Sequence, residues 1–170
     1  GKVKSVIEMI HDINSYGDVA GKKVAVIGGG AVGLDVMEYF ALRDANVTVI
    51  EMKDKVGADL DPVSRTGIKN IIKNKNVKVQ TNTSLDEIRE DEFILKNDGN
   101  LFVESFDYGF ICAGMRANTE LLPQLEETFG EKIPVLNIGD SVRARRIIDG
   151  IAEGRNILLT LEAIGVIERV

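Results

Sequence analysis

The run Gly28-Gly29-Gly30-Ala31-Val32-Gly33 has the residue types and spacing to hold a phosphate-bearing cofactor. In a G-x-G-x-x-G turn, Gly28 permits a tight change of direction, Gly30 lets a pyrophosphate approach the backbone, and Gly33 lets the following helix pack closely on the preceding strand. The N–H groups at the start of that helix, aligned with its dipole, then hold the phosphates. Glycine turns are common, so the flanking residues carry the weight. An apolar run, Val24-Ala25-Val26-Ile27, precedes the glycines, a helical pattern follows them, and Glu51 closes the next strand about 20 residues on. A carboxylate only accepts hydrogen bonds, so Glu51 suits the two ribose hydroxyls of an adenosine half and repels a 2′-phosphate. Lys53 and Lys55 follow it closely and would attract one. The balance favours NAD(H) over NADP(H).

Other reactive side chains are few. The single cysteine, Cys112, excludes an internal disulfide or a C-x-x-C pair and reads as a core thiol on an apolar strand. That usage fits a reducing, cytoplasmic setting. The single histidine, His11, excludes a multi-histidine metal site and reads as a surface residue on a short helix. No acid, base or nucleophile is placed for catalysis. The formal net charge of -6 and pI near 4.9 argue against nucleic acid and anionic membranes as partners, which select a basic face. No run approaches the ~20 apolar residues of a membrane span. At 170 residues and 44% apolar content, the chain can bury a sizeable core without metal or disulfide.

These residues need a frame to position them. Val24–Ile27 and Val47–Ile50 are apolar and β-rich enough for strands buried on both faces, and Ala31–Asp44 between them has a helical apolar stripe, which makes a βαβ unit. Asp61-Pro62 supplies an N-cap and a first-turn proline for a helix to about Asn74, and Val77–Gln80 is a third strand. Glu92–Lys96 and Leu101–Ser105, joined through Asn97-Asp98-Gly99-Asn100, form a hairpin. Asp107–Ala113 resumes the parallel alternation. The spacing predicts helices over 3–13, 120–129 and 142–163, the last a long one, and a strand over Ile133–Ile138. The fold class is therefore α/β: a Rossmann-like three-layer domain with a parallel sheet and a small antiparallel β-meander.

The runs Gly21–Gly33, Val47–Glu51, Ile111–Asn118 and Ile138–Asp140 resemble the flavoproteins with two dinucleotide-binding domains. More narrowly, Glu51-Met52-Lys53-Asp54-Lys55-Val56-Gly57 and Gly139–Ile147 are similar to the C-terminal part of the NADH:flavin oxidoreductases related to 2-enoate reductase and 2,4-dienoyl-CoA reductase. The resemblance extends from Gly21 to about Asn156. Two positions depart from it: Ala117 stands where proline is frequent and Ser141 where cysteine is frequent.

The resemblance implies that residues 1–20 are a linker or helix leaving a preceding FAD domain, 21–115 an NAD-binding domain, and 116–170 the returning segment of the FAD domain. Gly28, Gly29, Gly30, Ala31, Val32, Gly33, Glu51 and Met52 would contact NADH, with Ala113-Gly114 as a second loop beside it. Gly139 and Asp140 would face FAD. The parent would also hold FMN and an iron-sulfur cluster on a barrel outside this chain, and its missing FAD half and barrel would be this chain's partners. Gly1-Lys2-Val3 agrees with a piece of something longer. The rival class is a stand-alone NAD-binding sensor or regulatory domain. The disulfide reductases of the same fold would carry their redox cysteines outside this segment. Arg143, Arg145 and Arg146 lie near the start of the final helix, where cations are disfavoured unless an anionic group is close.

Overall fold

In the computed structural model, which describes residues 2–90, 92–130 and 133–168, the chain forms two units, Gly1–Gly114 and Met115–Val170. The first is built on a five-stranded parallel sheet in the order β1 (Val3–Ser5), β8 (Tyr108–Ile111), β2 (Lys23–Ile27), β3 (Asn46–Ile50), β4 (Lys78–Gln80). The apolar runs lack a polar face because both faces are covered. On one face Val24, Val26, Val47, Val49 and Phe110 pack with α1 (Val6–His11), α2 (Ala31–Ala41) and α3 (Pro62–Asn74) through Met9, Leu34, Met37, Phe40 and Ile68. The Phe40 and Phe110 rings stack at 4.8 Å, and Tyr16 meets each edge-on at 5.5 Å. Full burial of one such ring contributes roughly 1.5–3 kcal/mol.

On the other face Ala25, Ile27 and Ile50 pack against Phe93, Leu95 and Phe106 of a three-stranded antiparallel meander, β5 (Thr83–Arg89), β6 (Glu92–Asn97) and β7 (Asn100–Ser105), and its flank. Helices, parallel sheet and meander are the three layers expected. The β6–β7 hairpin turns on Asp98 and Gly99 at φ 47° and 83°, both left-handed, which fits the twist of the strands and explains the Asp-Gly pair. The helix start at Pro62 is also as the sequence implies: the Asp61 carboxylate accepts the N–H groups of Val63 and Ser64.

Two local readings change in this unit. The helix expected over 3–13 is split into β1 and α1. Ser5 and Glu8 form a capping box, with Glu8 accepting the Ser5 N–H at 2.7 Å, so the helix cannot begin before Val6, and Val3–Ser5 pairs with β8 instead. Met9, Tyr16 and Val19 sit in the helical-face core, so the segment ahead of Lys22 belongs to the body of this unit. β5 is an unforeseen strand. Its register slips between Leu85 and Glu87, so Leu85 and Ile88, three apart, pair with Leu95 and Phe93 on one face, and the bulge erases the period of two.

The second unit holds α4 (Leu121–Phe129), a 3-10 turn at Gly139–Ser141, α5 (Ile147–Arg155) and α6 (Ile157–Ala163). The strand expected over Ile133–Ile138 is not formed, as no strand lies beside it among the described residues to complete a ladder. The single long helix expected over 142–163 starts late, at Ile147, and breaks at Asn156, which ends α5 and begins α6. α4, α5 and α6 bury no residue, and Ile147 is 84% exposed.

Gly109, in the middle of β8, is where the meander seats on the sheet. A Cβ there would lie 2.3 Å from Cζ of Phe93, a ring that is 1% exposed and has no room to retreat. Gly109→Ala is therefore expected to destabilise the first unit by about 1–3 kcal/mol, as overpacking does, read as a lower midpoint in denaturant unfolding. An unchanged midpoint would mean that the two layers are not in close contact here.

Candidate functional site

The C-terminal ends of β2, β3 and β8 and the start of α2 surround a cleft of about 620 Å³. Its walls include Gly28, Gly29, Gly30, Ala31, Val32, Glu51, Met52, Ala113 and Gly114, together with Lys53, Lys55, Asp59 and the first residues of β5, Thr83 to Leu85. The crevice beyond the carboxyl ends of parallel strands is where open α/β sheets take ligands. Of the residues singled out in the sequence, Gly33 packs beneath the cleft and does not line it, and Gly139 and Asp140 belong to the second unit.

The glycines of the turn divide by what surrounds them. At Gly28, whose φ is 111°, a Cβ would stand 2.5 Å from the Cys112 carbonyl oxygen; at Gly29 it would meet Val56 at 2.5 Å; at Gly33 it would run into the Gly28 carbonyl oxygen. Each of these is required by the protein's own packing. Gly30 is not: its φ is -77°, and the nearest atom to a Cβ would be an Asp59 carboxylate oxygen at 3.6 Å, an ordinary contact. The backbone at the N-cap of α2 is thus kept bare on its cleft side without any demand from the fold. Gly30 offers no side-chain cap, and the N–H groups of a first helical turn have no partners within the helix.

Glu51 is 8% exposed, and its carboxylate accepts the Gly29 N–H at 2.6 Å and the Lys53 N–H at 2.8 Å. One oxygen braces the glycine turn and the other fixes the loop after β3. Each oxygen keeps a further lone pair with which to accept a hydroxyl from the cleft. Cys112 is buried behind the turn, and burial pushes its thiol up to about 11, so it stays protonated and unreactive at ordinary pH.

Sequence reasoning did not find Asp59, whose carboxylate accepts the Ala31 N–H at 3.1 Å from the loop ahead of α3. Nothing in its sequence neighbourhood marks it, because the loop conformation alone brings it to the helix start. The same loop is tied down by the Gly57 N–H to the Gly29 carbonyl at 2.7 Å and by Arg65, which donates to the carbonyls of Gly57 and Leu60.

In the second unit, the Gly139 N–H donates to Glu153 at 2.6 Å and Arg145 pairs with the same carboxylate. The Gly139 N–H first, and the Arg145 guanidinium after it, hold the Glu153 carboxyl below the usual carboxylate range. Arg146 faces Asp149 at 3.7 Å. Arg145 and Arg146, near the start of the helix, thus have acidic partners within the chain. Asp140 is exposed and accepts the Arg145 backbone N–H at 3.2 Å. No helix of the described residues is long and apolar enough to cross a membrane, and no metal-binding cluster of His, Cys, Asp or Glu occurs among them.

A parallel sheet with a helix-terminal glycine turn and an acidic residue closing the adjoining strand defines a Rossmann-type nucleotide-binding domain. Residues 3–135 match the family model of the pyridine nucleotide-disulphide oxidoreductases, and the chain belongs to that family. It is 25% identical over 167 residues to a metal reductase of Desulforamulus reducens, covering 81% of this chain and 24% of that one. To an NADH oxidase of Thermoanaerobacter brockii it is 28% identical over 135 residues, covering 78% and 20%. A solved 2-naphthoyl-CoA reductase superposes with a TM-score of 0.68 at 26% identity, over 89% of this chain and 22% of its own. The chain therefore spans about a fifth to a quarter of the length of these relatives, all oxidoreductases by name.

The glycine geometry predicts that Gly33→Ala costs at least about 1–3 kcal/mol of stability, because α2 must move off the Gly28 carbonyl, whereas Gly30→Ala stays within about 1 kcal/mol of the wild type. Equal effects in thermal unfolding would contradict that division. For Cys112, the raised thiol pKa stabilises the fold fully below the unfolded value near 8.5. The contribution is lost as pH rises through about 11. Alkylation at pH 8 is expected to be slow in the folded chain and fast in denaturant, a contrast that mass spectrometry resolves.

Proposed function

We propose that the first unit binds NAD(H) and presents its nicotinamide to a flavin held elsewhere in a larger NADH-dependent oxidoreductase. The observation that carries this reading is Gly30: the turn keeps it free of a side chain on the cleft side although the fold would accept one, and it stands at the first turn of α2. A pyrophosphate would lie there, on the N–H groups of Gly30, Ala31 and Val32. The ribose of the adenosine half would reach Glu51, with Met52 beside it and Ala113-Gly114 forming the opposite wall. Hydride chemistry is supplied by the nicotinamide itself when bound; the chain's residues bind, orient and shield it.

On this reading residues 21–115 are the nucleotide domain and 116–170 return to a FAD domain, with Gly139 and Asp140 toward FAD. The exposed apolar side chains of α5 and α6 fit a segment completed by other parts of the protein. The match to 2-naphthoyl-CoA reductase supports placement near the enoate and dienoyl-CoA reductases, whose resemblance adds FMN and an iron-sulfur cluster outside this chain.

Calorimetric titration of the chain tests the proposal. NADH is expected to bind at least about tenfold more tightly than NADPH, since a charge-assisted bond to the ribose is worth on the order of 1.5–3 kcal/mol. Gly30→Val is expected to abolish binding while circular dichroism stays that of the folded protein. Equal affinities would sink the role of Glu51, and normal binding by folded Gly30→Val would show that the phosphates lie elsewhere. The chain alone is expected to keep no FAD through gel filtration; a retained flavin at unit stoichiometry would make the first unit the flavin carrier instead.

A further inference from the structure

We infer that Asp59 is a built-in competitor for the dinucleotide phosphates, occupying the start of α2 in the free protein and leaving it when the cofactor arrives; this rests on the NAD(H) reading above. The Asp59 carboxylate takes the Ala31 N–H, and one of its oxygens lies 3.6 Å from where a Gly30 Cβ would be, so it stands in the space assigned to the pyrophosphate. A carboxylate and a phosphate want the same thing at this point: unpaired backbone N–H groups at the positive end of a helix. Both cannot have them, and two anions side by side would repel.

The position is held from outside the cleft. Gly57 is hydrogen-bonded to Gly29, and Arg65 grips the carbonyls of Gly57 and Leu60 on either side, yet the side chain of Asp59 itself is exposed and makes its one described hydrogen bond to Ala31. A rotation of that side chain toward solvent frees the N–H without unfolding the loop. The carboxylate thus stabilises the free state alone, by a helix-end interaction that is absent from the bound state. The affinity for NADH is lowered by that difference, and the phosphate site is never left bare. Glu51 differs, since it braces the turn from a buried position and its bonds persist when a ribose is present.

The test is titration of NADH into the wild-type chain, Asp59→Asn and Asp59→Ala, with Asp54→Asn as a control, an exposed aspartate of the same loop that does not line the cleft. Affinity is expected to rise in the order wild type, Asp59→Asn, Asp59→Ala, with a total gain of about three- to tenfold, and Asp54→Asn is expected to match the wild type. Without cofactor, the Asp59 variants are expected to unfold at slightly lower temperature than the wild type, with the gap closing in saturating NADH. Binding that is unchanged or weaker in both Asp59 variants overturns the inference while leaving the NAD(H) reading intact, and so does an equal gain in Asp54→Asn, which would make it a general charge effect. Absence of NADH binding in every variant removes the NAD(H) reading and this inference together.

Discussion

The first unit depends on how closely the backbone of its central strand can approach its neighbours. At the end of β2 the chain reverses into α2 with no side chain at Gly28, Gly29 or Gly33, and the Cys112 carbonyl, the Val56 side chain and the Gly28 carbonyl respectively fill the space that three Cβ atoms would take. This approach brings the tip of β8 and the first turn of α2 to the same point, and Glu51 locks it by accepting the Gly29 N–H from the adjacent strand. A side chain at any of the three would push a neighbour away: the backbone after β8 at Gly28, Val56 at Gly29, and α2 from the Gly28 carbonyl at Gly33. Gly30 alone stands outside this constraint, which is why the nucleotide assignment turns on it.

Much of this was legible before the structure, for identifiable reasons. Continuous apolar strands, an acid at the end of the second and a glycine turn between strand and helix are local patterns with one economical arrangement, and the Asp98-Gly99 turn declares its hairpin through the backbone angles it needs. What stayed hidden depended on partners distant in sequence. The bulge at β5 shifts Leu85 and Ile88 out of alternation. The edge strand β1 is too short to show a period, although Ser5 and Glu8 announce the helix start. Asp59 is ordinary in sequence and notable only where the loop delivers it. Ile133–Ile138 has strand composition but no neighbour to pair with among the described residues, and a strand exists only as part of a ladder.

The electrostatics of the cleft mix signs over a short span. Glu51 and Asp59 face it from two sides, and Lys53 and Lys55 line it from the loop between them. The two acids act differently because of burial: Glu51 is sequestered with two backbone donors, whereas Asp59 has solvent available as an alternative partner. Burial thus decides which carboxylate is structural and which is free to exchange.

The placement of the meander has one more consequence. β2 and β8 are neighbours in the sheet, yet the bond from the Lys23 N–H to Asp107 that begins their pairing joins residues 84 apart. Everything between them closes as one loop, and the entropy of closing a flexible loop grows only with the logarithm of its length, about 0.6 kcal/mol for each doubling. Residues added at the solvent-facing tip of the β6–β7 hairpin would barely change that cost, provided Phe93 still seats over Gly109. The hairpin is therefore where a lineage carrying this domain could lengthen its chain, and because Asn97 at its base donates to Thr83 on the rim of the cleft, the new surface would stand beside the cleft of the glycine turn.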